Sequence, residues 1–189
     1  MAKAAAEAGQ VAARIGPLDG RSVAAEGVSV TVLAPASRIS LRAPQGSLPA
    51  LGKALGVSLP RKPKKATEAG GRAALWFGPD EWLVIDMDGK DPVADCVSVS
   101  ALHSAVDVSH RNVGLMVEGP LAEAVLSAGC PQDLSRPAFG VGACSRTVFG
   151  SAEVVIWRRS ETAFHVECWR SFGDYVLTFM ETAARDAAG

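Results

Sequence analysis

Hydrophobic and polar positions alternate most cleanly between Asn112 and Glu118, where Val113, Leu115 and Val117 interleave with Asn112, Gly114, Met116 and Glu118. Period-two alternation is the signature of a strand with one buried face. Gly119-Pro120 ends it. A proline at the first helical position loses no hydrogen bond and has its φ already set, so the pair predicts a helix that Gly129 stops. Leu121, Val125 and Ala128 share one face of that helix at a spacing of 3.6 residues. The polar Asp107-Val-Ser-His110 ahead of the strand reads as a turn.

The same reading extends over the chain. Strands are predicted at 28–33 and 38–42, followed by a short helix over 47–55 that Gly56 stops. A hairpin follows, with strands at 73–77 and 81–86 joined by Gly78-Pro79-Asp80. Its strands are apolar on both faces, as central strands are, and Trp76 and Trp82 read as core. Asp91-Pro92 opens a helix to about Leu102. After a Pro- and Gly-rich connection over 130–142 come three close strands, at 143–149, 152–158 and 162–169. In the last, Phe164, Val166 and Cys168 face one side and His165, Glu167 and Trp169 the other, with His165 read as an outward polar residue. Ser171 is placed to cap a final helix, with Asp174 three residues on. Phe172, Val176, Phe179, Met180 and Ala183 form its apolar face, and Glu181 with Arg185 makes an i, i+4 pair. The order ββα, ββα, βα, βββα predicts an α+β fold of mostly antiparallel sheets with interspersed helices.

Two segments fall outside this pattern. Residues 1–27 are dominated by Ala, Gly and small polar side chains and read as an N-terminal tail, with 4–14 helical only if supported. Residues 60–71, Pro-Arg-Lys-Pro-Lys-Lys-Ala-Thr-Glu-Ala-Gly-Gly, read as a flexible basic loop. The remainder, 28–189, is expected to be a single domain.

Composition narrows the function. The chain has 189 residues, 48% of them hydrophobic, which suffices for one sizeable core. Nineteen basic and twenty acidic residues leave a net charge of −1, so no overall field draws it to nucleic acid or to an anionic membrane. The basic loop has no interleaved aromatics for bases to stack on. No apolar run approaches the roughly 20 residues of a membrane span. The expected location is the cytoplasm. Cys96, Cys130, Cys144 and Cys168 are too widely separated for Cys-x-x-Cys chemistry and read as buried thiols in a reducing compartment. A zinc site would need His165 and Cys168 together with Cys130 or Cys144, but positions 165 and 168 of a strand point to opposite faces.

No convergent catalytic set emerges. The chain lacks a dinucleotide or phosphate-loop motif. Ser109 and His110 are chain neighbours, which is poor geometry for one to activate the other. Asp107 and Ser109 instead suit the backbone N–H groups of their turn. His165 beside Glu153 or Glu167 is the remaining acid–base pairing. What stands out is arginine next to tryptophan on the last strands: Arg146, Arg158, Arg159 and Arg170 with Trp157 and Trp169. These are the residue types most enriched at protein interfaces, and the six are assigned to a partner interface.

Several of these segments carry a family resemblance. Asp107-Val-Ser-His-Arg-Asn-Val-Gly-Leu-Met-Val-Glu-Gly-Pro-Leu-Ala-Glu-Ala-Val-Leu126, Gly129-Cys-Pro-Gln-Asp-Leu134, Cys144-Ser-Arg-Thr-Val-Phe-Gly150, Ala152-Glu-Val-Val-Ile-Trp-Arg158, Trp169-Arg-Ser-Phe172 and Gly78-Pro-Asp-Glu-Trp-Leu83 together resemble the gamma subunit of heterotetrameric sarcosine oxidase. The resemblance covers about 73–183 well and the first 60 or so residues loosely. It implies the fold of the folate-binding domain of aminomethyltransferases. It also implies a complex that oxidatively demethylates sarcosine to glycine and passes the one-carbon unit to tetrahydrofolate. The implied partners are the alpha, beta and delta subunits, and FAD, FMN, NAD, tetrahydrofolate and zinc are expected in those subunits, with none in this chain. Aminomethyltransferases carry an Asp pair where this chain has Ala152-Glu153, and an Asn near the position of Trp169 or Arg170. Glu153 is the one catalytic candidate left. The expectation is therefore a non-catalytic subunit of sarcosine catabolism that stabilises the oxidase. The alternative is a stand-alone folate-binding one-carbon enzyme or binding protein.

Overall fold

The protein is described by a computed structural model over residues 16–189. The helix expected at 4–14 lies outside the described residues. Eleven strands and four helices follow among the described residues. The strands are β1 (Ser22–Ala25), β2 (Val28–Val32), β3 (Ser37–Arg42), β4 (Ala66–Ala69), β5 (Arg72–Gly78), β6 (Glu81–Asp86), β7 (Ser104–Asp107), β8 (Asn112–Glu118), β9 (Cys144–Phe149), β10 (Ala152–Arg158) and β11 (Ala163–Trp169). The helices are α1 (Leu48–Leu55), α2 (Pro92–Val97), α3 (Ala122–Ser127) and α4 (Gly173–Ala188).

The strands form two antiparallel sheets, a first ordered β1-β2-β8-β11-β10-β9 and a second ordered β4-β5-β6-β3-β7. Period-two alternation then sorts the side chains into layers. Val113, Leu115 and Val117 of β8, with Phe164 and Val166 of β11, face outward from the first sheet onto α3 and α4. Ile39, Leu41, Trp82 and Val84 of the second sheet pack on α1 and α2. Leu75, Leu83, Ile85, Val155 and Trp157 meet between the sheets. The result is a four-layer α/β/β/α sandwich, each of whose large buried side chains contributes about 1.5–3 kcal/mol.

The structure corrects several expectations. In the described part of the expected tail, Leu18 is fully buried and residues 22–25 form β1, which pairs with β2. The basic loop contains β4, whose two-residue turn at Gly70-Gly71 hands it back to β5. The helix opened by Asp91 is one turn and a half long and stops at Val97, leaving room for β7. In α3 the buried residues are Ala122, Val125 and Leu126, a face rotated from the one expected because Leu121 lies ahead of the first turn. Ser171 makes no cap for α4; it sits in a 3₁₀ turn over Arg170–Phe172, and Asp174 accepts from Arg21 instead. No helix among the described residues is long and apolar enough to cross a membrane.

Candidate functional site

β11 runs through the middle of the first sheet, so its polar face is pressed against the second sheet rather than against solvent. His165 and Glu167 are consequently almost fully buried. Across the gap β3 presents Arg38, also buried, whose Nε donates to Glu167 Oε2 at 2.7 Å and whose Nη2 donates to Oε1 at 2.9 Å. His165 Nε2 lies 2.7 Å from Oε1, and Asn112 Nδ2 donates to Oε2 at 3.3 Å. The remaining guanidinium nitrogen donates to the Ala36 carbonyl at 2.9 Å. Each carboxylate oxygen thus has two partners, which fills its ordinary capacity.

This arrangement decides what Glu167 can do. Burial alone would raise its pKa, but the His165 hydrogen bond and the Arg38 charge outweigh burial and hold it at about 2. A carboxylate that weakly basic, with no free lone pair, is an anchor between sheets and a poor general base at neutral pH. Gly114 makes room for it: a Cβ there would lie 3.0 Å from Glu167 Oε1 and 3.2 Å from both Arg38 Nη2 and His165 Nε2. Trp157 stacks its ring 5.7 Å from that of His165. The expectation that His165 points outward is therefore reversed, since a second sheet covers it.

Two other buried arginines join the outer layers in the same manner. Arg72 donates to Asp86 on β6 at 2.8 Å, to Asp95 on α2 at 2.6 Å and to the Leu55 carbonyl at the end of α1 at 2.7 Å. Arg158 is 0% exposed and donates to Glu123 of α3, to the Leu134 carbonyl and to the Glu161 carbonyl, with its guanidinium 4.4 Å from the Phe164 ring. Two of the six residues assigned to a partner interface are thus corrected. Arg158 and Trp157 are buried, and the interfaces they serve are those between the protein's own layers. Sequence cannot distinguish an Arg/Trp pair facing a second sheet from one facing a second protein.

The other four reach the surface to different degrees. Arg146 is about half-exposed, lies over the Phe77 ring at 5.3 Å and pairs with Glu81 at 3.7 Å. Arg159 pairs with Glu68 and lies 4.6 Å from the Trp157 ring. Trp169 is 43% exposed, flanked by Arg111 at 5.1 Å and by the exposed Phe172 at 6.3 Å, with Arg170 beside it.

Glu153 and Trp169 line one cleft between the sheets. Arg146 and Glu81 span it, Phe77 and Arg111 fill it, and the space left is about 110 Å³. A larger cavity of about 730 Å³ lies beyond, walled by Gly16, Pro17 and Asp19 to Ser22 and by the β2–β3 connection, and floored by Arg38 and Gly114. Ser109 borders that cavity as a turn residue. Its N–H donates to Asp107 Oδ1 at 2.8 Å, its hydroxyl bonds the same oxygen at 2.5 Å, and its Oγ accepts from the Arg38 N–H at 2.8 Å. This is the backbone-satisfying role expected for Asp107 and Ser109.

Among the described residues no three His, Cys, Asp or Glu side chains are grouped to hold a metal. His165 and Cys168 point to opposite faces of β11. All four cysteines are buried and free, and burial pushes the Cys144 and Cys168 thiols up to about 12, far from thiolate chemistry.

The fold is that of the aminomethyltransferases. A solved aminomethyltransferase T of the glycine cleavage system from Bartonella henselae superposes with a TM-score of 0.63 at 12% identity, covering 86% of this chain and 49% of that one. That likeness concerns the fold alone. Residues 43–186 match the model of the sarcosine oxidase, gamma subunit family. The sarcosine oxidase subunit gamma of Corynebacterium sp. (strain P-1) is 31% identical over 166 residues, 85% of this chain and 82% of that protein. The subunit gamma of an Arthrobacter species is 35% identical over 136 residues, 69% of this chain and 67% of that protein. A chain of the heterotetrameric sarcosine oxidase from Corynebacterium sp. U-96, solved in complex with pyrrole 2-carboxylate, superposes with a TM-score of 0.82 at 28% identity, covering 91% of both chains. The chain belongs to the sarcosine oxidase gamma subunit family.

Proposed function

We propose that the chain is the non-catalytic gamma subunit of a cytoplasmic heterotetrameric sarcosine oxidase and that its task is to stabilise the assembly. The alpha, beta and delta subunits then hold FAD, FMN, NAD, tetrahydrofolate and zinc. They demethylate sarcosine oxidatively to glycine and pass the one-carbon unit to tetrahydrofolate. The observation that carries this reading is the cleft at Glu153 and Trp169, reduced to about 110 Å³ by Arg146, Glu81, Phe77 and Arg111. Pockets for drug-sized ligands enclose roughly 300–1,000 Å³, so the cleft beside Glu153 is too small for one, while the cavity of about 730 Å³, which is within that range, is lined by neither Glu153 nor Trp169. The carboxylate at the centre, Glu167, is committed to joining the two sheets.

Arg146, Arg159, Arg170 and Trp169 are the part of the Arg/Trp set left to meet a partner. Trp169 with its neighbours Arg111 and Phe172 has the composition of an interface anchor. Co-expression of the chain with the other three subunits, followed by affinity capture, tests the reading. The wild-type chain is expected in equimolar amount, and Trp169→Ala combined with Arg170→Ala is expected to lower its recovery about tenfold. Full recovery of that variant would remove this surface from the interface; failure of the wild-type chain to co-purify would remove the subunit reading itself.

A further inference from the structure

The two sheets have four outer strands, and they are treated differently. β4 and β9 are stitched to each other, with the Ala66 N–H donating to the Gly142 carbonyl at 2.9 Å and the Cys144 N–H donating to the Lys64 carbonyl at 3.1 Å. β1 runs beside α4, to which Arg21 is tied through Asp174. β7 has a neighbour on one side only, β3. The Val108 N–H donates to the Arg38 carbonyl at 2.9 Å, which fixes the parity of that ladder. Residues 104 and 106 therefore turn their backbone groups toward β3, and Ala105 turns its N–H and C=O away from the sheet. Among the described residues Ala105 has no hydrogen-bond partner on that side.

The surface around this edge is apolar. Val97 at the end of α2 is 80% exposed, Leu102 in the approach to β7 is 77% exposed, and Val106 on β7 is 54% exposed. These are three of the four most exposed large aliphatics among the described residues, gathered within ten positions of the sequence. Ala105 turns its side chain toward α2, so Val97 and Leu102 flank the edge on the helix side while Val106 flanks it on the opposite face of the sheet. β7 is short and ends in Asp107, but Ser104-Ala-Val carries no Lys, Pro or bulge to keep another strand away. At the C-terminal end of the strand, Asp91, whose carboxylate caps α2, and Asp107, which accepts from Ser109, line one recess with Arg38, whose own charge is answered by Glu167, so that end keeps an acidic character.

We infer that β7 is a docking edge, on which an extended, aliphatic segment of a partner subunit of the oxidase adds a sixth strand to the second sheet, with a Lys or Arg at the end that meets Asp91. The main-chain bonds to Ala105 give the register, and Val97, Leu102 and Val106 give the apolar contact. A strand is the occupant because an open ladder edge selects extended backbone, and a basic flank because the recess is acidic. The inference rests on the subunit reading above and adds a second surface, distinct from that around Trp169.

Hydrogen–deuterium exchange on the complete co-expressed complex and on the isolated chain tests it. The Ala105 amide is expected to exchange at least about tenfold more slowly in the complex, since it gains a hydrogen bond there. Ala105→Pro removes the outward N–H without taking a bond from the β3–β7 ladder and is expected to lower recovery in the complex about tenfold, as is Val97→Lys combined with Leu102→Lys, which leaves the backbone unchanged. Equal exchange of Ala105 in both states, or full recovery of both variants while wild type assembles, overturns the docking edge and leaves the subunit reading intact. Protection of Ala105 in the isolated chain as a dimer would assign the edge to a second copy and also overturn it. Failure of the wild-type chain to assemble overturns both proposals.

Discussion

Arg38→Ala is expected to destabilise the fold by about 3–5 kcal/mol, because it leaves Glu167 as an uncompensated charge between two sheets. The truncation removes both of the bidentate bonds to Glu167 and the bond to the Ala36 carbonyl, and it opens a space beside Gly114. Arg38→Met combined with Glu167→Leu should cost much less than either truncation alone, since the buried charges leave together. Acid should have a related effect. The Glu167 pKa is depressed in the folded chain to about 2, against about 4.3 when unfolded. Its contribution is therefore complete above the unfolded value and is lost as pH falls from there through the folded value, on the order of 3 kcal/mol in all. Denaturant titrations at pH 7 and pH 3 check both expectations: wild type should lose stability across that interval, and Glu167→Gln should lose less.

Gly119→Ala is the second large effect, about 3–5 kcal/mol. Gly119 has φ of +125°, where L side chains are strained, and a Cβ would lie 2.3 Å from the Gly27 carbonyl oxygen. That oxygen already accepts from the Leu121 N–H at 3.0 Å, so backbone on both sides would have to move. The close approach of Gly27 to Gly119 is what lets the β1–β2 hairpin lie against the start of α3. Gly46→Ala is the matched control, with nothing within 4 Å of the added Cβ, and should be near neutral. For a chain of this length the expected fall in Tm is about 2–4 °C per kcal/mol, read by thermal unfolding of both variants.

Much of this architecture is written locally. Alternation at Asn112–Glu118 and on the three last strands, Gly119-Pro120, and the Gly78-Pro79-Asp80 turn each specify their element by short-range chemistry, and the elements stand where expected. The strands that were not legible, β1, β4 and β7, are all four residues long and all lie at sheet edges. Their pairing comes from a neighbour and little from their own composition. Ala69-Gly70-Gly71-Arg72 does carry a two-residue hairpin signal, which the surrounding lysines and prolines obscured.

The centre was legible only in part. Alternation places His165 and Glu167 on one face of β11, but nothing near them in sequence says that Arg38, 129 residues from Glu167, will cover that face. Trp157 and Arg158 show the same limit from the other side. Their composition does announce interfaces, and the fold supplies those interfaces internally. Trp169, at the end of its strand, escapes that burial and keeps about two-fifths of its surface exposed.

In the proposed function this chain contributes assembly and leaves the chemistry to other subunits. Glu153, the one catalytic candidate that the sequence resemblance leaves, lies exposed at the mouth of the narrowed cleft. The most direct test is sarcosine turnover per bound flavin in the complete complex assembled with Glu153→Gln. Turnover within about twofold of wild type is the predicted result. A fall of about 100-fold or more in a complex of unchanged subunit stoichiometry, the scale of losing a general acid or base, would contradict the claim.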